Sequence, residues 1–168
     1  MLVLPLVISA CGYRFVGYQV AGEPQKNISI ITLRNDSEEP GIELLASEAL
    51  RHEVLSRGGL SLHADPRDAD FVLRGRILPV RTRSRSFTGV VLAREYEVTV
   101  KLELQVEPQR GQPGALSSTV FSASEIYLAS ADSAVLRKNR LEALRYLCGL
   151  LASRVHDAID RSVLDVVP

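Results

Sequence analysis

The feature that most constrains the fold of this chain is a strict alternation of apolar and polar side chains over residues 95–106. Successive side chains of a β-strand point to opposite faces, so this alternation predicts a long strand with one buried and one solvated face. Such a strand belongs to a sheet that other elements cover on one side only. The predicted buried face carries Tyr96, Val98, Val100, Leu102, Leu104 and Val106.

The preceding stretch, residues 70–87, is predicted to form the first arm of a hairpin that turns near Thr88 and Gly89. Its apolar side chains and a row of arginines nearer the tip all stand at odd-numbered positions. In an uninterrupted strand they would lie on the same face, so the arginines would continue the buried apolar stripe. Pro79 can interrupt the stripe through a bulge, or the tip can project beyond the covering helices. The apolar residues are Phe71, Leu73 and Ile77, and the arginines are Arg81, Arg83 and Arg85.

The order of the remaining elements predicts an α+β fold. It is a two-layer sandwich, in which two helices pack on one face of a mostly antiparallel four- to five-stranded sheet. The other face is left to solvent or to a partner. The domain is predicted over residues 27–162, with a tail over residues 163–168. Further strands are expected at residues 28–33, 60–63 (parallel to the first) and 118–129, and helices at residues 41–57 and from a cap at 131–133 to about 162.

The N-terminus has the form of a secretory signal. Residues 2–7 are apolar and uncharged, and the run closes with Ile8, Ser9, Ala10 and Cys11. It is too short to cross a hydrocarbon layer of about 30 Å. An apolar-small-small-Cys tetrad resembles the bacterial lipobox, which predicts a signal peptide over residues 1–10, lipid attachment at Cys11 and a tether over residues 11–26. The alternative is that Cys11 is a buried residue of an ordinary strand, an environment that Gly12 does not favour.

Charge and cysteine content narrow the function classes. The chain has 20 basic residues (Lys and Arg) and 20 acidic ones (Asp and Glu), so its net charge does not indicate a nucleic-acid partner. If Cys11 is acylated, Cys148 has no intramolecular partner and is expected to be a small buried hydrophobe on a helix. The fold then depends on packing and not on a disulfide.

Signatures of enzymes are not found in the sequence. His52, His63 and His156 have no second His or Cys at ligand spacing and are expected on the surface, so no metal site is predicted. The chain has no phosphate-binding glycine loop and no Gly-x-Ser-x-Gly elbow. A noncatalytic role is therefore predicted, with no cofactor other than the covalent lipid on Cys11.

The row of arginines has two interpretations, and Arg94 across the turn belongs to the same constellation. In the first, a turn at Thr88 and Gly89 sets Arg83 opposite Glu95 and Arg81 opposite Glu97, as a cross-strand charge ladder. In the second, the guanidinium groups form an anion site, because their fork shape binds phosphate bidentately. In the envelope the abundant polyanion is the phosphorylated lipid A of lipopolysaccharide (LPS). Nucleic acid is disfavoured, because no aromatic residues stand between the arginines.

An ordered set of motifs resembles one known family, the LPS-assembly lipoproteins (LptE). The resemblance covers nearly all of the chain after residue 10, and its specificity lies in the order of the pieces. The pieces are residues 11–15 at the lipidation site, the strand at 28–33 ending in Asn35, residues 40–43 opening a helix, residues 57–60 closing it, residues 69–75 and 95–98 in the hairpin, and the last amphipathic helix.

The resemblance implies a lipid-anchored protein on the periplasmic face of the outer membrane that plugs the LPS-translocating barrel LptD. There it would help that barrel to assemble and assist LPS delivery to the cell surface. The family is thought to contact LPS near the hairpin tip and the start of the last helix. The tip of this hairpin, residues 86–89, departs from that pattern because it has no basic residue, so the nearest candidates are Arg85 and Arg94 beside it and Arg137 and Lys138 in the helix.

A second hypothesis from a different class fits the same anchor and fold. An outer-membrane lipoprotein can activate a periplasmic peptidoglycan synthase by protein contact, and it also needs no catalytic site. The identity of the membrane protein that co-purifies separates the two.

Overall fold

The computed structural model describes residues 26–87, 93–112 and 114–164. The predicted signal peptide, Cys11 and the turn at Thr88 and Gly89 lie outside the described residues. The strands are β1 (Lys26–Ile30), β2 (Arg34–Asn35), β3 (Leu60–Leu62), β4 (Phe71–Ile77), β5 (Arg81–Phe87), β6 (Ala93–Pro108) and β7 (Leu116–Leu128). The helices are α1 (Ile42–Arg57) and α2 (Ser133–Ile159), and a π-helical turn (Asp160–Leu164) continues α2.

The sheet is mixed and five strand positions wide within the described residues, because β2 continues the line of β1 and β5 continues that of β4. β1 runs parallel to both β3 and β4, whereas β6 runs antiparallel to β4, β5 and β7. The α+β class is confirmed. The parallel pairing of β1 with β4 adds a detail that the prediction of a mostly antiparallel sheet did not contain.

Both helices cover the same face of the sheet. β6 buries the alternating side chains from Val98 to Val106, as predicted, in the core on the side of α2. Burying one such aliphatic side chain contributes roughly 1.5–3 kcal/mol relative to leaving it in water. The helices contribute Ile42, Ala46, Leu50 and Val54 from α1, and Leu144, Leu147, Leu151, Val155 and Ile159 from α2.

The helix ends follow the cues in the sequence. Gly58 adopts a left-handed φ of 73° at the C-terminus of α1, where residues with a Cβ are strained. At the start of α2, the Asp132 carboxylate accepts hydrogen bonds from the backbone N–H groups of Ala134 (2.7 Å) and Val135 (3.4 Å). Neither described helix combines the length and apolarity that spanning a bilayer requires.

Two buried residues on α2 have polar side chains. Cys148 is buried as predicted, and burial raises the pKa of its thiol to about 11. The expectation that His156 lies on the surface is wrong, because its side chain is 3% exposed. It follows Cys148 and Ala152 at four-residue intervals, which places it on the buried stripe. His52 and His63 are exposed, as predicted.

The buried His156 lies against the end of the domain. Its Nδ1 is 3.2 Å from Oδ2 of Asp160, and burial raises the pKa of that carboxyl group. The π-helical turn then brings Val163 fully into the core, and the carbonyl of Val163 accepts a hydrogen bond from Lys26 Nζ at 2.6 Å. The packed core therefore includes one residue that the sequence analysis assigned to the tail.

Candidate functional site

A bulge between β4 and β5 decides which face the arginines occupy. Ile77 lies opposite Leu102 and Arg81 lies opposite Thr99, so four steps along one strand match three along the other. The extra residue, within 78–80, reverses the parity of the strand. Phe71, Leu73 and Ile77 therefore face the core, while Arg81 and Arg83 face the uncovered side. The bulge that Pro79 allowed is present.

The inner part of this uncovered face is an ion-pair network. Arg76 Nε lies 2.7 Å from Glu103, and its Nη1 lies 3.3 Å from Asp36. Arg34 also contacts Asp36 at 2.8 Å. Hydrogen bonds from these guanidinium groups lower the pKa of both Glu103 and Asp36. An open depression of about 320 Å³ is lined by Arg34, Arg76 and Glu103 of this network and by Gly75. Nearby carboxylates neutralise its guanidinium groups, so the depression attracts an additional anion only weakly.

The outer part of the uncovered face has a different charge balance. Arg81, Arg83 and Lys101, here named the cationic cluster, form no ion pair with any residue in the described ranges. Arg81 lies opposite Thr99, and Lys101 follows two residues along the same face of β6. Directly opposite and diagonal positions are about 5 and 7–8 Å apart. The three cations therefore occupy neighbouring positions from which they can bind one phosphate group or two adjacent ones.

The predicted charge ladder has the wrong register. Arg83 lies opposite Glu97 and not Glu95, and Glu95 lies opposite Ser86. An irregularity between Ser84 and Ser86 shifts the register further toward the tip. Between the described residues of β5 and β6, an ion pair joins Arg85 to Glu97 at 3.4 Å, with half of the Arg85 side chain exposed. Such an exposed pair is weak and easily exchanged.

The structure separates the two groups of predicted LPS contacts. Arg137 and Lys138 are exposed on the first two turns of α2, where Lys138 lies 3.9 Å from Glu142. α2 covers the opposite face of the sheet from Arg81 and Arg83, so the sheet lies between the two groups. Arg94 belongs to β6, but its side chain lies outside the described residues.

Arg140 is a functional candidate that the sequence analysis missed. Its guanidinium group donates to Glu39 at 2.6 and 3.0 Å, to Thr82 Oγ1 at 2.9 Å and to the Tyr127 hydroxyl at 3.1 Å. The hydrogen bond with Glu39 raises the pKa of Arg140. Arg140 thus joins α2 to β5, to β7 and to the loop before α1. It positions the arm that carries the cationic cluster.

A sequence signal for Arg140 does exist. It lies four residues after Leu136 and four before Leu144, so it shares the side of the helix that packs on the sheet. A long cation at such a position needs a carboxylate partner. Glu39, 101 residues earlier in the chain, could be identified as that partner only from the three-dimensional structure.

No metal-binding arrangement accompanies these cations in the described ranges. Within them, His, Cys, Asp and Glu form no group of three or more with the geometry of a metal site. The high pKa and the burial of Cys148 leave its thiol protonated and inaccessible. The chemistry available on the uncovered face is the binding of anions by exposed guanidinium and ammonium groups.

Comparisons with solved structures show the same fold. Rare lipoprotein B from Shewanella oneidensis matches with a TM-score of 0.52 at 18% identity, over 81% of this chain and 95% of that one. Protein CT253 from Chlamydia trachomatis matches with a TM-score of 0.59 at 12% identity, over 83% and 98%. A minor lipoprotein from Acinetobacter baumannii matches with a TM-score of 0.53 at 18% identity, over 82% and 94%.

Sequence comparison gives the family. No curated protein matches this chain. The family model described as LptE, lipopolysaccharide-assembly, matches residues 25–159, a span that contains all the described strands and the whole of α1 and α2. The chain belongs to the LptE family of lipopolysaccharide-assembly proteins.

Proposed function

We propose that this chain is an outer-membrane lipoprotein, anchored by acyl chains on Cys11, that plugs and helps assemble the barrel LptD and assists delivery of LPS to the cell surface. The single observation that supports this most strongly is the LptE family match over residues 25–159. The fold is compatible with it, because one face of the sheet is left uncovered for a partner or ligand. The protein needs no cofactor and no nucleic acid for this role.

The partnership is tested by purification. The full-length chain is extracted from membranes in mild detergent through an affinity tag at its C-terminus. A large β-barrel subunit in stoichiometric amount is the expected result, because a plug is held over a large surface and survives mild extraction. Recovery of a peptidoglycan synthase in place of a barrel, or of the lipoprotein alone, would contradict the proposal.

The LPS contact is assigned to the cationic cluster in preference to α2. Arg81 and Arg83 are exposed and form no ion pair in the described part of the chain, so a phosphate does not have to displace a carboxylate to reach them. Arg85 can join them, because its pair with Glu97 is long and half exposed. Lys138 is already near Glu142. Lipid A carries the phosphate groups that guanidinium forks bind best.

Charge reversal tests this assignment. The double variant Arg81→Glu/Arg83→Glu is expected to bind purified LPS at least about tenfold more weakly at physiological salt, since it removes two charge-assisted contacts. Its melting temperature is expected to stay close to that of the parent, because neither residue supports the fold. The matched variant Arg137→Glu/Lys138→Glu has the same change in charge on the other side of the sheet. If that variant alone loses affinity, the site lies on α2 and the assignment is wrong.

A further inference from the structure

The last strand of the sheet has a free edge. Within the described residues, β7 pairs with β6 only. Two of its outward carbonyls are occupied by side chains of α2: Arg154 donates to Ser122 at 2.9 Å, and Asn139 donates to Leu128 at 3.0 Å. Alternate residues of an antiparallel strand direct their N–H and C=O groups to the same side. The backbone groups of Ser124 and Ile126 therefore also face outward, and no described residue bonds to them.

A groove runs along this edge. Ile126 and Leu128 line it on the uncovered side of the sheet and are 45% and 64% exposed. On the helix side, an open depression of about 320 Å³ lies between β7 and α2. Its walls there are Glu125, Asn139, Glu142 and Tyr146, and Tyr146 is 59% exposed. These six residues are named the edge groove.

The edge groove is acidic on one side and apolar on the other. Glu125 forms no ion pair with a described residue, and Glu142 has only the exposed Lys138 at 3.9 Å. The residues that line the depression include no cation. The side chains of an added strand would alternate between the two sides. Those on the helix side would meet two carboxylates, and those on the uncovered side would meet Ile126 and Leu128.

We propose that the edge groove binds an extended segment of a protein partner, which adds to β7 as a further strand and alternates apolar residues with Lys or Arg. Its backbone would bond to Ser124 and Ile126, the main-chain recognition that gives strand addition its affinity. Arg154 and Asn139 occupy the edge on either side of this window, so they limit pairing to a short segment and oppose indiscriminate aggregation.

The inference goes beyond the proposed function, because it concerns an edge that the cationic cluster does not use. The two proposals can also be tested independently. If no barrel co-purifies, the proposed function fails, but the binding of an extended basic segment can still be measured with a peptide. If a barrel co-purifies and the edge groove plays no part, only this inference fails.

A peptide of defined pattern gives the direct test. The probe is a nonapeptide alternating valine and lysine, and its matched control alternates valine and glutamate. With the full-length lipoprotein in detergent, the lysine peptide is expected to bind and to slow hydrogen exchange at the amides of Ser124 and Ile126 by at least about tenfold. Equal binding of the two peptides, or binding without protection of these two amides, would overturn the inference.

Substitutions on the edge of β7 provide a second test. Ile126→Pro removes an N–H group that the sheet does not use, and edge strands tolerate proline at such positions. It is expected to weaken the lysine peptide at least about tenfold, which corresponds to about 1.4 kcal/mol or more. Val120→Pro makes the same change on the same edge, outside the groove, and is expected to retain binding. If Ile126→Pro prevents folding, Glu125→Lys/Glu142→Lys replaces it. Retained binding in the folded groove variant would refute the proposal.

Discussion

Gly75→Ala is expected to lower the melting temperature by about 6–12 °C, from an overpacking cost near 3 kcal/mol at 2–4 °C per kcal/mol. Gly75 lies in β4, directly opposite Leu104 of β6. A Cβ at this position would overlap the carbonyl oxygen of Glu103 and the side chain of Leu104, and would lie 3.0 Å from the Leu104 Cα. Backbone atoms cannot move aside as a flexible side chain can. The strands must therefore separate where β4 and β6 pair.

Gly149→Ala is the matched control for this prediction. Gly149 lies on the exposed side of α2, and a Cβ there would meet no atom within 4 Å. Alanine in the middle of a helix is more favourable than glycine by about 0.8–1 kcal/mol, so the melting temperature is expected to stay or to rise. Thermal unfolding followed by circular dichroism measures both variants. Equal melting temperatures for Gly75→Ala and the parent would show that β4 and β6 are not packed as closely as described.

The local elements were predictable because each has a local cause. The alternation ending at Val106 sets the two faces of β6, Gly58 ends α1 and Asp132 begins α2. Each cue acts over a few residues, through side-chain direction, a left-handed φ or a capping hydrogen bond. The same cues in sequence gave the α+β class.

The register of the hairpin was less predictable, because it depends on chain geometry over a longer distance. The parity of Arg81 and Arg83 depends on one extra residue within 78–80, and sequence allowed a bulge there without requiring it. The offset between Arg83 and Glu97 depends on how many residues the turn uses. The two predicted pairs, Arg81 with Glu97 and Arg83 with Glu95, therefore differ from the observed register by two positions.

The candidate site shows the same division. The arginines were evident in the sequence, but their partners were not, because ion pairs join residues from separate elements. Arg76 of β4 is neutralised by Asp36, which follows β2, and by Glu103 of β6. These pairs distinguish the inner arginines, which have carboxylate partners, from Arg81 and Arg83 of the cationic cluster, which have none among the described residues. The sequence therefore located the charge, and the packing determined which part of it is available to a ligand.

Cys11→Ala is expected to remove the acyl anchor and to leave a soluble or mis-sorted protein. Each buried CH₂ of an acyl chain contributes about 0.8 kcal/mol, and one chain binds only marginally while two or more hold stably. Without the thiol, the chain has no acyl attachment point at this position. The variant is expected to be lost from the outer-membrane fraction, and the mature N-terminal peptide of the parent is expected to carry the mass of the acyl chains.

Cys148→Ala is the control, since it removes the other cysteine of the chain from a buried position that no acyl transferase can reach. It is expected to fractionate with the outer membrane and to keep the acyl mass. Recovery of Cys11→Ala in the outer membrane would show that contact with the barrel alone holds the protein there. A parental N-terminal peptide with a bare thiol would remove the lipobox interpretation, and with it the reason for placing the cationic cluster beside the translocation pathway.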